Sequence, residues 1–458
     1  MTSVPVHGHG HGDGRGDGAT SDAADALDRL RRPAVLASLA GAVLLLLGLL
    51  VHRGHGGSAF FQSYLFAYVF WTGLALGCFG LLMLQHLVGG AWGAVIQRPL
   101  EAGARLLPLM ALLFLPLLLG MWTLYEWLDP AWREAHAGMS FKLWYLSAGG
   151  FVVRTVIYFV VWTVLVFVLN RWSAEQDRTG AAGPPGSGRV LGRTMQLFSG
   201  PGLVLYVVTV SLAAVDWVMS LTPDWYSTIF GLLFVVGQVL GTLAAMVALL
   251  SLLTRSRPLA GVLSIGHFHD LGNLMLAFVM LWAYVHFSQF LIIWSGNLAE
   301  ETPYYYARTR TGWKYVALVL VIFHWLLPFV LLLWRRTKRN PGALAVVAVW
   351  VLVMRLVDLM WVIGPSFGGQ GPHGHGSYAG AEAAAHGAVQ ATQAATQAVQ
   401  SSHGAHPAGW WHVWMYPAAA AAIGGVWVLA FVWQLKRRPL LPLNDARLAA
   451  DAGGAHHD

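Results

Sequence analysis

Ten apolar runs, each close to twenty residues or longer and nearly free of charge, constrain this chain more than any other feature. They cover residues 33–51, 63–88, 105–127, 141–170, 197–219, 226–253, 270–294, 312–334, 342–363 and 413–435. A helix rises about 1.5 Å per residue, so about 20 residues cross the roughly 30 Å hydrocarbon layer. Within that layer a segment must satisfy its own backbone hydrogen bonds, and runs this long do so as helices. The whole chain agrees: 57% of its 458 residues are hydrophobic and 11% are charged, the balance of a polytopic membrane protein. The predicted fold class is therefore all-α integral membrane, with about ten transmembrane helices.

Arg31 and Arg32 precede the first run, whose long apolar core and missing A-x-A site argue for a retained span over a cleaved signal. Leu221, Thr222, Pro223 and Asp224 separate the fifth and sixth runs, because proline and two polar residues favour a turn. The fourth run is over-long, which predicts tilt or extension beyond the membrane.

The net charge of +7 does not point to nucleic acid, because the basic residues cluster beside apolar spans. One set of connections and the C-terminal tail hold Arg98, Arg105, Arg171, Arg178, Arg189, Arg193, Arg255, Arg257, Arg335, Arg336, Lys338, Arg339, Lys436, Arg437 and Arg438. The other set holds only Arg53, Arg133, Lys142, Arg308, Arg310 and Lys314. The positive-inside rule then predicts a multi-pass protein with both termini in the cytoplasm and an even number of spans. Cys78 is the single cysteine, so an intrachain disulfide, a cysteine-held iron–sulfur cluster and covalent haem are excluded.

Residues 1–30 read as a disordered cytoplasmic tail, 173–192 as a flexible linker containing GAAGPPGSG, and 364–409 as a long periplasmic low-complexity loop. The spans then occupy 31–363 and 410–438, and 439–458 form a second cytoplasmic tail. The histidine tracts of the first tail and the long loop carry no assigned metal.

Polar residues inside apolar spans are costly, so they predict a protein interior or a water path. By depth, Glu126, Asp216, His286, Gln289, Arg355 and Asp358 fall in the outer half, and Arg154, Gln238 and His324 in the middle. His86, His267, His269, Asp270 and Asn273 fall in the inner half, with Gln85 beside them. Asp270 and His286 are 16 residues apart, about 24 Å along one helix. Arg355 and Asp358 share a face at i, i+3, which fits a structural ion pair and a functional one alike. His286 and Gln289 have the same spacing, and Gln289 would orient His286 or bind a carbonyl or hydroxyl ligand. Asp216 is a candidate relay carboxylate or a buttress of the turn before Pro223, and Asp270 a route residue or a helix N-terminal carboxylate. Lone Arg154 is expected to pair with a carboxylate on a neighbouring helix. No two histidines face each other at one depth, which argues against intrinsic b-type haem.

The segments DWVMSLTPDWYSTIFG (216–231), HDLGNLMLAFVMLWAYVHFSQFLIIWSGNLAEETPYYYARTRTGW (269–313) and RLVDLMWVIGP (355–365) resemble the ActF-type membrane subunit of bacterial alternative complex III, within the NrfD-like, polysulfide-reductase-like membrane family. The likeness runs over about 30–438 and is most specific at 269–313. It implies two four-helix bundles, spans 2–5 and 6–9, flanked by the first and last spans. It implies a subunit without cofactors of its own, apart from a quinone or quinol site, in a quinol:cytochrome c oxidoreductase. Its partners would be multihaem cytochrome c subunits carrying haem c, an iron–sulfur subunit with its clusters, and a sister NrfD-like membrane subunit better placed for quinol oxidation. The role implied for this subunit is a transmembrane proton path or a secondary quinone site. Two other readings compete with it. A secondary transporter predicts broken helices and inverted repeats, and no internal repeat is visible. A structural anchor for redox subunits predicts that all buried charge is merely paired.

Overall fold

In a computed structural model, residues 15–51, 57–182, 187–256, 259–309, 311–367 and 413–442 are described. Helices dominate, and no strand occurs among the described residues. Ten helices among them are long and apolar enough to cross a membrane, numbered here as spans 1 to 10: Asp22–Val51, Ser58–Val88, Ala91–Leu119, Ala148–Arg178, Val190–Leu221, Phe230–Leu253, Ile265–Gly296, Trp313–Leu333, Pro341–Phe367 and Met415–Leu435. An even count returns the chain to the end at which it began. That end is called the termini end below, and the opposite one the far end.

Spans 2–5 and spans 6–9 form two four-helix groups that meet through spans 2, 5 and 6. Span 2 is the axis of the molecule, with 94% of its apolar core buried inside the protein. Hydrocarbon gives two helices no hydrophobic reason to associate, so close van der Waals approach must do it. At Gly77 an added Cβ would meet Thr242 Oγ1 at 2.1 Å and the Gln238 carbonyl oxygen at 2.5 Å, so only glycine lets spans 2 and 6 approach this closely. Spans 1 and 10 pair by the same device. A Cβ on Gly41 would meet the Ala418 carbonyl oxygen at 2.5 Å, and Ser38 Oγ donates to the Ala422 carbonyl at 3.1 Å. Trp71 Nε1 then donates to the Ala420 carbonyl at 2.9 Å, fixing this pair to span 2.

Several boundaries differ from those read along the sequence. Arg15–Asp28 is helical where its polar composition predicts a tail without structure, and residues 1–14 lie outside the described set. The long loop beyond Phe367 and the tail from residue 443 also lie outside it, histidine tract included. Span 3 begins at Ala91, not 105, because Arg98 and Glu101 enter the bundle as a neutralising pair. Its end at Leu119 leaves Glu126 in a short 3-10 helix, Glu126–Leu128, beyond the span. Residues 140–145 form a separate short helix before span 4, and that span's helix runs on through Ala182, into the stretch read as a linker.

Span 8 carries a π-helical segment, Leu320–Leu326. Pro328 lacks the N–H that would close an ordinary turn onto His324, and the Leu327 N–H instead reaches the Ile322 carbonyl, five residues back. His324 sits in the widened turn.

Candidate functional site

Each bundle buries one carboxylate near the far end, and the two are held differently. In the first bundle Asp216 closes span 5, with its side chain wholly inside the protein. Arg154 of span 4 donates to both carboxylate oxygens, from Nε at 2.9 Å and Nη2 at 3.0 Å. Tyr158, one turn along from Arg154, adds its hydroxyl at 2.7 Å. The Tyr145 ring lies against the guanidinium at 3.9 Å. Burial first, and the Asp216 charge second, push the Tyr145 phenol from 10.0 up to about 12. Arg154 is thus paired with a carboxylate on a neighbouring helix, but it is no mid-membrane bridge. Span 4 starts at Ala148, so Arg154 lies less than two turns inside it, level with Asp216. Donors occupy both oxygens of Asp216, the pattern of a charge-assisted fork.

In the second bundle Asp358 of span 9 is equally buried, and all four helices converge around it. Arg355 and the Trp282 indole, at 3.1 Å, both donate to Oδ2. Arg355 also fills the notch at Gly237 of span 6, where an added Cβ would meet its guanidinium carbon at 2.5 Å. The other oxygen, Oδ1, faces His286 Nε2 at 3.4 Å without a hydrogen bond between them. His286 Nδ1 lies 3.1 Å from the Trp282 carbonyl oxygen. A carbonyl only accepts, so Nδ1 carries the proton and a neutral His286 presents a bare lone pair to Asp358. Two buried acceptor atoms therefore face each other, and neither has a hydrogen-bond partner among the described residues. One proton between them would satisfy both atoms.

His324 meets the edge of Trp282, with ring centroids 4.3 Å apart, and neither of its nitrogens has a hydrogen-bond partner among the described residues. It belongs to the Asp358 cluster more than to a separate middle station. Gln289, 2% exposed, leaves both amide atoms unpartnered among the described residues. It does not orient His286, because the Trp282 carbonyl one turn back does so.

Where the bundles meet, residues of spans 2, 5 and 6, Thr72, Trp217 and Gln238 among them, line a cavity of about 10 Å³. That is about the room one water needs. Gln238 accepts from the Tyr206 hydroxyl at 3.3 Å and follows Gly237, against which Arg355 packs.

The residues read as the inner half are more scattered. His86 lies 3.3 Å from Ser199 Oγ. His267 and Ser264 form a capping box at the start of span 7, a structural task for that histidine. His269 Nδ1 is 3.3 Å from Asn273 Nδ2, and the Asn273 carbonyl accepts from Lys338 Nζ at 2.6 Å. Asp270 is exposed, 3.8 Å from His269.

A third polar cluster, at the termini end, escapes sequence reasoning. Glu101, 1% exposed, accepts from Arg98 at 2.9 Å, Ser173 at 2.6 Å, Gln97 at 3.1 Å, Arg438 at 3.3 Å and Arg105 at 3.4 Å. Arg98 is also bonded to Asp177. This network ties spans 3 and 4 to the end of span 10. Arg98 and Arg105 read along the chain as loop charges, and only the i, i+3 spacing of Arg98 and Glu101 hints otherwise. Trp282 and Tyr158 escape it for a similar reason. Their signal is a polar-tipped aromatic one helical turn from His286 and Arg154.

Comparison with models of known protein families gives no match, and comparison with curated proteins gives none.

Proposed function

We propose that this chain is an integral membrane subunit of a respiratory quinol:electron-acceptor oxidoreductase, and that its second bundle takes up and releases a proton. The observation that carries the reading is the His286–Asp358 pair: two buried acceptor atoms 3.4 Å apart, with room in the hydrogen-bond pattern for one proton. The Trp282 carbonyl fixes the imidazole tautomer, while Arg355 and the Trp282 indole hold the carboxylate by its other oxygen. A proton arriving at either atom is shared across the pair, and its departure restores the facing acceptors. Arg355 balances the carboxylate charge throughout. Gln289 supplies an unpartnered carbonyl and amide one turn beyond His286, the donor and acceptor that a quinol hydroxyl or quinone carbonyl would use. Such a quinol, when bound, supplies two protons and two electrons. The cavity beside Thr72 and Gln238, with one water in it, would relay between the bundles.

The quinol-complex assignment rests on the resemblance of segments 216–231, 269–313 and 355–365. That resemblance supports multihaem cytochrome c subunits, an iron–sulfur subunit and a sister membrane subunit as partners and the bacterial inner membrane as location, and the basic-loop bias supports cytoplasmic termini. The Asp216 fork favours the anchor reading for the first bundle, since its charge is fully paired.

The test uses the complex isolated through an affinity tag on this chain. Covalent haem reducible by quinol is expected in the co-purifying subunits. In that assembly Asp358→Asn and His286→Ala should lower quinol oxidation or its coupling to proton movement by about 10²-fold, the usual contribution of a positioned acid–base group. Full activity with normal coupling in both variants would sink the proton site. A colourless chain isolated alone and intact would instead favour a transporter.

A further inference from the structure

At the termini end several basic groups have carboxylate partners. Arg98 and Arg438 meet Glu101, Lys436 and Arg31 meet Asp28, and Arg178 meets Glu175. The turn between spans 8 and 9 is built differently. Trp334 ends span 8 in an extended conformation, Arg335–Arg339 form one short helix of sequence RRTKR, and Asn340 caps span 9 by accepting from the Gly342 and Ala343 N–H groups. Four of those five residues are basic, and no carboxylate among the described residues lies within 4 Å of Arg335, Arg336 or Arg339.

The short helix is oriented by its fourth residue. Lys338 is buried, donates to Asn273 Oδ1 at 2.6 Å, and lays its methylenes over Gly272 of span 7, where a Cβ would meet its Cγ at 2.8 Å. Lys338 is pinned inward, and Arg339 is the helical neighbour of both Arg335 (i, i+4) and Arg336 (i, i+3). The three arginines line, with Asn340, an open concavity of about 500 Å³. Leu333 and Trp334, 53% and 61% exposed, stand at the end of span 8 beside it. Three guanidiniums without a carboxylate partner among the described residues thus adjoin apolar and indole surface at the level where a membrane-spanning helix ends.

We infer that this turn is a binding site for the phosphate of an anionic phospholipid, its acyl chains lying along span 8. Guanidinium forks match phosphate oxygens, and the exposed Leu333 and Trp334 give a lipid, unlike free phosphate, something to bind beyond its headgroup. Lys338 has already ordered the helix, so little of the binding energy is spent on ordering it.

The experiment titrates the full-length protein, in mild neutral detergent, with dioctanoyl phosphatidylglycerol and follows bound lipid by native mass spectrometry. Each juxtamembrane arginine is worth about fivefold, so R335Q/R336Q/R339Q should weaken binding roughly a hundredfold, and R339Q alone about fivefold. R437Q, which removes a guanidinium stacked on Trp433 at the same end, should leave binding unchanged. Unaltered affinity in the triple variant overturns the site. So does an equal loss in R437Q, which would mean diffuse attraction. Displacement by inorganic phosphate as effective as by the lipid would reassign the site to a free anion.

Discussion

Asp216 and Asp358 are chemically the same residue in the same kind of place, and their neighbours separate them. Asp216 has both oxygens filled by Arg154 and a further donor in Tyr158. Asp358 has one oxygen held by Arg355 and Trp282 and the other left facing His286. The first arrangement is a lock and the second has a place for a proton. A lock makes a stability prediction. Arg154→Met strands a buried carboxylate and should cost about 3–5 kcal/mol, whereas Arg154→Met with Asp216→Asn should recover most of that. Thermal unfolding of the four purified proteins in detergent measures the cycle, and strictly additive losses would remove the lock. Of these pairs, only Arg355–Asp358 was legible along the chain, because a separation of three residues is a local fact of helix geometry. Arg154 and Asp216 are 62 residues apart, and nothing in either neighbourhood names the other.

At the scale of elements, the apolar runs located ten spans, while their ends depended on pairing. Span 3 reaches back past Arg98 and Glu101 because the two charges neutralise each other, which a residue-by-residue hydropathy count cannot register. The far-end connections are fastened by similar means. Asp224, in the turn after span 5, takes Lys142 Nζ at 2.8 Å and His136 Nε2 at 3.1 Å, while His136 Nδ1 lies 2.8 Å from the Trp132 carbonyl oxygen. Asp224→Ala should therefore loosen residues 130–145 without unfolding the bundles, since partly exposed ion pairs contribute about 0–1 kcal/mol each. Faster amide hydrogen exchange confined to that segment is the expected result. Unchanged exchange there would show that Trp132 packing alone holds it.

Over the whole molecule, the two bundles work as one body only if spans 2 and 6 stay in contact. Gly77 sets that distance, and the Thr242 and Gln238 atoms it faces include backbone that cannot swing aside. Gly77→Val should cost about 1–3 kcal/mol or more and enlarge the cavity beside Thr72 and Gln238. The check is a lowered melting temperature; an unchanged one would mean that the bundles are held elsewhere.

What the sequence determined by itself is the helical, ten-span character of the chain. That outcome follows from a local requirement, since each segment in hydrocarbon must satisfy its own backbone. Which polar side chains meet was decided only by the tertiary structure. Glu101 gathers donors from residue 97 to residue 438, and Asp358 meets Trp282 and His286 of span 7. A buried charge is stabilised by whatever the fold brings within hydrogen-bond reach, however far away along the chain that partner lies.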